Sequence, residues 1–97
     1  MILTTTPTVE GRTISEYMRV IGGETVIGIN LYRSMSAGYN RPVEIAQARD
    51  AALNELWKRG EELGADGVIS VAIDYEPLGP DGGAMLVSAT GTAVKLA

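Results

Sequence analysis

The second half of the chain combines one amphipathic helix with two strands that are apolar on both faces. Apolar residues recur at helical spacing from Ile45 to Leu63, and Gly64 then suits the left-handed position that follows a helix. Strands are predicted over 68–76 and 84–96, separated by a turn rich in Pro and Gly. One helix covers only one face of a sheet. Because the second face is also apolar, the sequence predicts that another copy of the chain covers it.

Composition limits the class of protein and its partners. The 97 residues predict a single domain over 1–97. With a net charge of −4 and scattered Lys and Arg residues, neither nucleic acid nor an anionic membrane is expected as a partner, because phosphate binding requires clustered cations. The chain has no Cys and its N-terminus lacks the features of a signal peptide. We therefore expect a cytoplasmic protein without a membrane-spanning segment.

The first half of the chain predicts strands with one open question. Strands are expected at 2–6, 13–21 and 24–31. The pair Gly22 and Gly23 lies between the last two of these strands, and it is compatible with a hairpin turn or with a bulge in one long strand. The sequence does not decide between these alternatives.

Strict alternation assigns side chains to the two faces of each strand. Met18 and Val20 are expected on one face and Ile21 on the other, and Val68 is expected opposite Ile69 and Val71. The last strand has a face of small residues that suits close approach of the helix, namely Ala89, Gly91 and Ala93. The face expected to meet another subunit or solvent carries Ser88, Thr90 and Thr92.

Five segments in this order resemble the YbjQ family of small bacterial and archaeal proteins, and together they extend over nearly the whole chain. They are residues 4–11, 48–53, 63–68, 74–75 and 89–94. The resemblance implies a small dodecin-like α+β subunit, in which an antiparallel sheet packs on one main α-helix. It further implies a ring-forming homo-oligomer, a homopentamer. Family members are often named heavy-metal-binding, and their function is not established; the connection 33–41 is shorter here than is usual in the family.

The chain offers few ligands for a metal ion. Heavy metals favour thiolate and imidazole ligands, and the chain contains neither Cys nor His, so no heavy-metal site is predicted. A hard divalent metal could use carboxylates near strand ends, for which the candidates are Asp66, Asp74, Glu76 and Asp81. Turn formation and solvated strand ends explain the same residues. No cofactor is therefore predicted, and a divalent metal is kept as an alternative.

Small-ligand binding and catalysis are the remaining alternatives. Tyr32, Tyr39 and Arg41 lie around the loose segment before the helix, and such residues can hold a planar or anionic molecule or form a subunit contact. No nucleophile has a base at a recognisable spacing. The sequence thus predicts a non-enzymatic, ring-forming homo-oligomer. A metal-ion or small-ligand binding module with sites at subunit interfaces is the first alternative, and an enzyme of unknown reaction is the second.

Overall fold

The computed structural model describes residues 1–28, 41–80 and 83–97, with the side chains of 41–43 left out. These residues form the elements β1 (Ile2–Leu3), β2 (Ile14–Gly28), α1 (Arg41–Glu62), β3 (Gly67–Leu78) and β4 (Ala84–Leu96). The strands make one sheet in the order β1-β3-β4-β2. β4 pairs antiparallel with β2 and β3, whereas β1 runs parallel to β3. The predicted α+β class is confirmed, with a mixed sheet in place of a purely antiparallel one.

Helix α1 ends as the sequence predicts. Gly64 has a φ of 75°, the left-handed conformation that glycine adopts readily. The amide of Ala65 donates to the carbonyl of Gly60 at 3.0 Å, and the amide of Gly64 donates to the carbonyl of Glu61 at 2.9 Å. These two bonds form a Schellman motif, which satisfies carbonyls left unpaired at the end of the helix. The chain can therefore turn directly into β3.

The two glycines in the first half lie inside one long strand. β2 continues through Gly22 and Gly23 without a register shift, and Gly23 pairs with Ala89 of β4. One long strand is therefore formed and the hairpin is not, but the bulge expected at the two glycines is absent. A Cβ atom at Gly23 would lie 2.5 Å from the carbonyl oxygen of Ala52 and 2.6 Å from the amide nitrogen of Leu56. Glycine is thus required because the backbone of α1 packs directly on β2.

The core lies between α1 and one face of the sheet. Helix α1 contributes Ala48, Ala52 and Leu56, and β4 contributes Val87, Ala89 and Ala93. All of these side chains are buried. The small-residue face of the last strand is therefore the face that packs against the helix, as predicted. The side chains that alternate with it on β4 point away from α1.

A bulge in β3 makes the predicted assignment of its faces wrong. The pairing with β4 shifts register between Ile69 and Ala72, and Ser70 has a φ of 54°. One extra residue at this point lets both Val68 and Val71 enter the core beneath the helix. Val68 and Val71 therefore share a face, whereas the sequence pattern placed them on opposite faces.

The N-terminal segment supports this bulge. The amides of Ser70 and Val71 donate to the carbonyls of Thr6 and Thr4 at 2.9 and 3.0 Å. The amide of Thr4 in turn donates to the carbonyl of Val68 at 3.0 Å. The predicted strand over 2–6 is thus shortened to β1, and the residues after it satisfy the backbone groups that the bulge removes from the ladder.

A second irregularity changes the faces of β2. The register shifts between Tyr17 and Arg19, so Met18 and Ile21 both pack on the core side. Tyr17 and Val20 are instead 68% and 70% exposed. The expectation that Met18 and Val20 share a face, with Ile21 opposite, is therefore wrong. The register shift thus leaves two large apolar side chains, Tyr17 and Val20, on the surface.

Candidate functional site

The face of the sheet turned away from α1 is the candidate interaction surface, and we call it the open face. Cross-strand pairing places residues of β2, β3 and β4 side by side on it. It consists of Tyr17, Val20, Gly22, Glu24 and Val26 of β2, Ala72, Asp74 and Glu76 of β3, and Leu86, Ser88, Thr90 and Thr92 of β4. Ile69 and Val94 lie on the same side of the sheet, but both are already buried within one chain. No described helix covers this face, because α1 packs on the other one.

Large apolar side chains on the open face are strongly exposed. Val20, Tyr17 and Val26 keep 70%, 68% and 60% of their surface in contact with solvent. Ala72 and Thr90, in the neighbouring strands, are also exposed. Tyr17 and Val20 lie near one end of β2 and Val26 lies near the other, with Glu24 between them on the same face. Clusters of exposed apolar side chains commonly mark interaction sites.

The residues predicted to meet another subunit form a line along the centre of this face. Ser88, Thr90 and Thr92 alternate with the core residues of β4, with Thr90 exposed and the other two half-buried. Within the described ranges, none of the three hydroxyl groups makes a hydrogen bond. The structure therefore brings these residues together on the side away from the helix, and their role at a subunit interface stays a prediction.

The charges of the open face are all negative. Glu24 of β2 and Asp74 of β3 lie on either side of Ser88, and Glu76 follows two residues after Asp74. All three carboxylates are exposed. The described residues contain no group of three potential His, Cys, Asp or Glu ligands arranged to hold a metal ion. Two of the predicted metal candidates thus share this face without forming a metal centre within one chain.

Asp66, a third metal candidate, has a structural role elsewhere. Its Oδ2 accepts the amide hydrogen of Leu96 at 2.8 Å, and its Oδ1 lies 3.5 Å from Nζ of Lys95. The hydrogen bond from the Leu96 amide, together with the charge of Lys95, lowers the pKa of the Asp66 carboxyl. Asp66 therefore holds the end of β4 against the turn that follows the helix. The fourth candidate, Asp81, lies outside the described residues.

A cleft of about 390 Å³ lies between the outer edge of β2 and the last turn of α1. It is lined by Arg19, Val20, Ile21, Gly22, Arg59, Glu62 and Leu63. Nη1 of Arg59 donates to the carbonyl of Gly22, and the same guanidinium lies 3.8 Å from the carboxylate of Glu24 and 3.6 Å from that of Glu55. Glu55 and Arg59 form an i,i+4 ion pair on the surface of the helix. The contact with β2 was not predicted, because no local pattern links residues 37 positions apart.

The segment before the helix that was considered for small-ligand binding lies almost entirely outside the described residues. Tyr32 and Tyr39 lie outside the described residues, and so does most of the shortened connection 33–41. Arg41 is the first residue of α1, and its side chain is not described. Their part in ligand binding stays a prediction.

Comparison with known proteins decides the family. A sequence model of the YbjQ family, described as "Putative heavy-metal-binding", matches residues 1–97. The chain belongs to the YbjQ family. It is 48% identical over 103 residues to a UPF0145 protein of Corynebacterium jeikeium (strain K411) and 44% identical over 103 residues to one of Listeria grayi, with 97% of each chain covered in both pairs. The YbjQ relatives have names that assign no activity.

The fold of this YbjQ protein also matches a solved structure. A protein of unknown function from the DUF74 family of Pediococcus pentosaceus ATCC 25745 superposes with a TM-score of 0.75, covering 100% of this chain and 98% of that one. Sequence identity is 21%, so the likeness shows the fold alone. No helix in the described ranges is long and apolar enough to span a membrane.

The heavy-metal description of the YbjQ family does not fit the donor atoms of this chain. Soft metals select thiolate, imidazole and thioether ligands, and the chain has no Cys, no His and four Met residues. Met1, Met18 and Met85 all pack against the apolar core, and the fourth Met lies outside the described residues. The side chains present therefore give no heavy-metal site within one described chain.

Proposed function

We propose that the protein is a subunit of a ring-shaped homo-oligomer, a homopentamer, and that it has no enzymatic activity of its own. The observation that carries the proposal is the open face, on which the large apolar side chains of Tyr17, Val20 and Val26 are exposed where a solvated sheet face would carry polar residues. A small domain of 97 residues gains stability readily by association. The proposal includes a cytoplasmic location, with which a chain free of Cys is compatible.

The three exposed apolar side chains are too small a surface to hold two subunits together by themselves. Tyr17, Val20 and Val26 together expose apolar surface on the order of 300 Å². Covering it would contribute about 7.5 kcal/mol at 25 cal/mol per Å², against an association cost of about 4–15 kcal/mol. A standard interface buries about 800 Å² on each partner. The interface therefore has to extend over the neighbouring strands and include Thr90 and Ala72.

A lysine at the centre of the open face tests the proposal. Thr90→Lys places a charge where the interface would be dry, and an unpaired buried charge opposes association strongly. We expect light scattering after size-exclusion chromatography to show dissociated subunits for this variant. The matched control is Ala51→Lys, which adds the same charge at an exposed position on the outer surface of α1. Assembly of Thr90→Lys with unchanged stability would show that the open face is not the interface.

The geometry of the hydroxyl groups supports the non-enzymatic part of the proposal. Ser88, Thr90 and Thr92 carry the aliphatic hydroxyl groups of the open face, and in the described structure no base is hydrogen-bonded to any of them. None of them lines the cleft beside Arg59. A nucleophilic mechanism needs both an activating base and a concave site.

A second candidate function is binding of a hard divalent cation or a small ligand between subunits. The observation that favours it is the purely acidic charge of the open face, with Glu24, Asp74 and Glu76. Carboxylates from two copies could complete an oxygen-ligand set for Mg²⁺ or Ca²⁺. Raised thermal stability with either cation, lost in Asp74→Asn, would favour this function. An unchanged melting temperature with both cations would contradict the metal version.

A further inference from the structure

The open face is poorly suited to pairing with itself. Its charged residues are Glu24, Asp74 and Glu76, and among its described residues there is no Lys or Arg. Glu24 is already paired at 3.8 Å with Arg59 of its own chain, so the carboxylates without an ion pair among the described residues are Asp74 and Glu76. If two open faces met, carboxylates would face other carboxylates or apolar side chains, and both arrangements oppose association. The cover must therefore be a different surface of the neighbouring copy, and that surface should bring a cation.

One side of α1 offers such a surface. In a helix each residue is rotated by about 100° from the previous one. Arg59 marks the side that faces β2, because its guanidinium contacts the carbonyl of Gly22. Leu53 and Trp57 lie one residue beyond the buried Ala52 and Leu56, on the opposite side of the helix. Both are half-buried, so they retain surface for a partner.

The apolar surface continues from the helix onto β3. Ile73 and Tyr75 pair with Ala89 and Val87, whose side chains lie under α1, so they share the helix side of the sheet. Ile73 is half-buried and Tyr75 is 43% exposed. We use the name helix flank for Arg49, Leu53, Trp57, Ile73 and Tyr75.

The composition of the helix flank suits a protein interface. Trp, Tyr and Arg are the residues most often found to dominate binding energies, and the flank carries one of each. Trp57 is the only Trp of the chain, and it is not among the side chains that pack against the core. Arg49 is half-buried on the same element. The exposed carboxylates Asp50 and Glu61 lie beside Trp57, on the side of the helix that faces solvent.

We propose that the open face of one copy docks on the helix flank of the next copy, head to tail. This inference rests on the proposed self-association and names the two surfaces that perform it. Trp57 and Tyr75 cover the exposed apolar residues of the neighbour, and Arg49 supplies the cation for its carboxylates. The contact uses the open face of one copy and the helix flank of the other, so each of the two copies keeps its second surface free for a further copy. Repetition of such a contact closes into a ring when the rotation between copies allows it.

Two variants, each broken on one surface, test the head-to-tail contact. Thr90→Lys disrupts the open face and keeps the helix flank, whereas Trp57→Lys disrupts the flank and keeps the open face. We expect each variant alone to have the mass of one 10.2 kDa subunit. An equimolar mixture has one intact contact, so it should form a heterodimer of twice that mass and no larger species. Ala51→Lys alone, which adds the same charge at an exposed position outside both surfaces, should assemble like the wild type.

The single Trp gives an independent signal in the same mixture. Only the Thr90→Lys variant retains Trp57, so the fluorescence reports the environment of the intact flank. We expect the emission to move to shorter wavelength when the Trp57→Lys variant is added, because the indole becomes covered. Circular dichroism of each variant checks that it is folded. If Trp57→Lys does not fold, Tyr75→Lys replaces it on a more exposed position of the same surface, and the mass of the mixture is the readout.

The outcomes separate this inference from the proposed self-association. A wild-type protein that is monomeric overturns both. A wild-type oligomer that persists in folded Trp57→Lys overturns the inference and leaves self-association standing. Two monomeric variants whose mixture stays monomeric also overturn it, because the two surfaces would not then be complementary.

Discussion

The substitution Gly23→Ala tests the packing of α1 on β2. The added methyl group would lie 2.5 Å from the carbonyl oxygen of Ala52 and 2.6 Å from the amide nitrogen of Leu56. Both atoms belong to the helix backbone, so a side-chain rotation cannot relieve the contact. Overpacking of a core typically costs about 1–3 kcal/mol. Because the whole helix has to shift, we expect a loss at the upper end of this range, about 3 kcal/mol in the free energy of unfolding.

Urea denaturation followed by circular dichroism, at one fixed protein concentration, measures this loss. With m values of about 1–3 kcal/mol per M, a loss of about 3 kcal/mol lowers the midpoint by roughly 1–3 M. The control is Gly28→Ala in the same strand, where an added Cβ meets no atom within 4 Å. We expect the control to be unchanged or more stable by up to about 1 kcal/mol. If Gly23→Ala stays within about 0.5 kcal/mol of the wild type, the helix does not pack on β2 at this residue.

Three further predictions concern single side chains. Leu56→Ala should lower the free energy of unfolding by about 2–5 kcal/mol, because Leu56 is fully buried; a loss below about 1 kcal/mol in denaturant would contradict its place in the core. Ser70→Gly should match the wild type in thermal denaturation, whereas Ser70→Val should lose about 1–2 kcal/mol, because a β-branched residue strongly disfavours a φ of 54°; equal melting temperatures would argue against the bulge. The lowered pKa of Asp66 means that its stabilisation is fully present above the ordinary value of 3.8 and is lost as the pH falls through the lower folded value. The Asp66→Asn variant should therefore not lose this stabilisation as the pH falls. If the urea midpoints of the wild type and of Asp66→Asn fall by the same amount in acid, this role of Asp66 is refuted.

Elements governed by local rules could be predicted from the sequence. The helix follows from the spacing of its apolar residues, and its end follows from Gly64, whose left-handed φ is a property of one residue. The last strand was predicted with its observed bounds, and the small residues Ala89 and Ala93 correctly indicated the face under the helix. Both inferences depend on short-range patterns that survive any tertiary arrangement.

The errors arose where distant residues set the geometry. Alternation assumes an unbroken ladder, but the bulge at Ser70 is stabilised by Thr4 and Thr6, far away in sequence. The register shift after Tyr17 likewise depends on the pairing of β2 with β4. Neither partner is visible in a local window. The contact of Arg59 with the edge of β2 was missed for the same reason.

The candidate site shows the same division. The sequence placed Ser88, Thr90 and Thr92 on the face away from the helix, because alternation along β4 is regular there. It did not identify Val20 as exposed, since the register shift reverses the face on which that residue lies. The open face is consequently more apolar than the Ser and Thr residues alone indicated.

The mass of the intact wild-type protein tests the central claim most directly. Native mass spectrometry of protein purified without chelator reports both the number of subunits and any bound ion or ligand. The account predicts a species of five 10.2 kDa subunits, about 51 kDa. A 10.2 kDa species alone at micromolar concentration would contradict it, because the open face would then remain in contact with water.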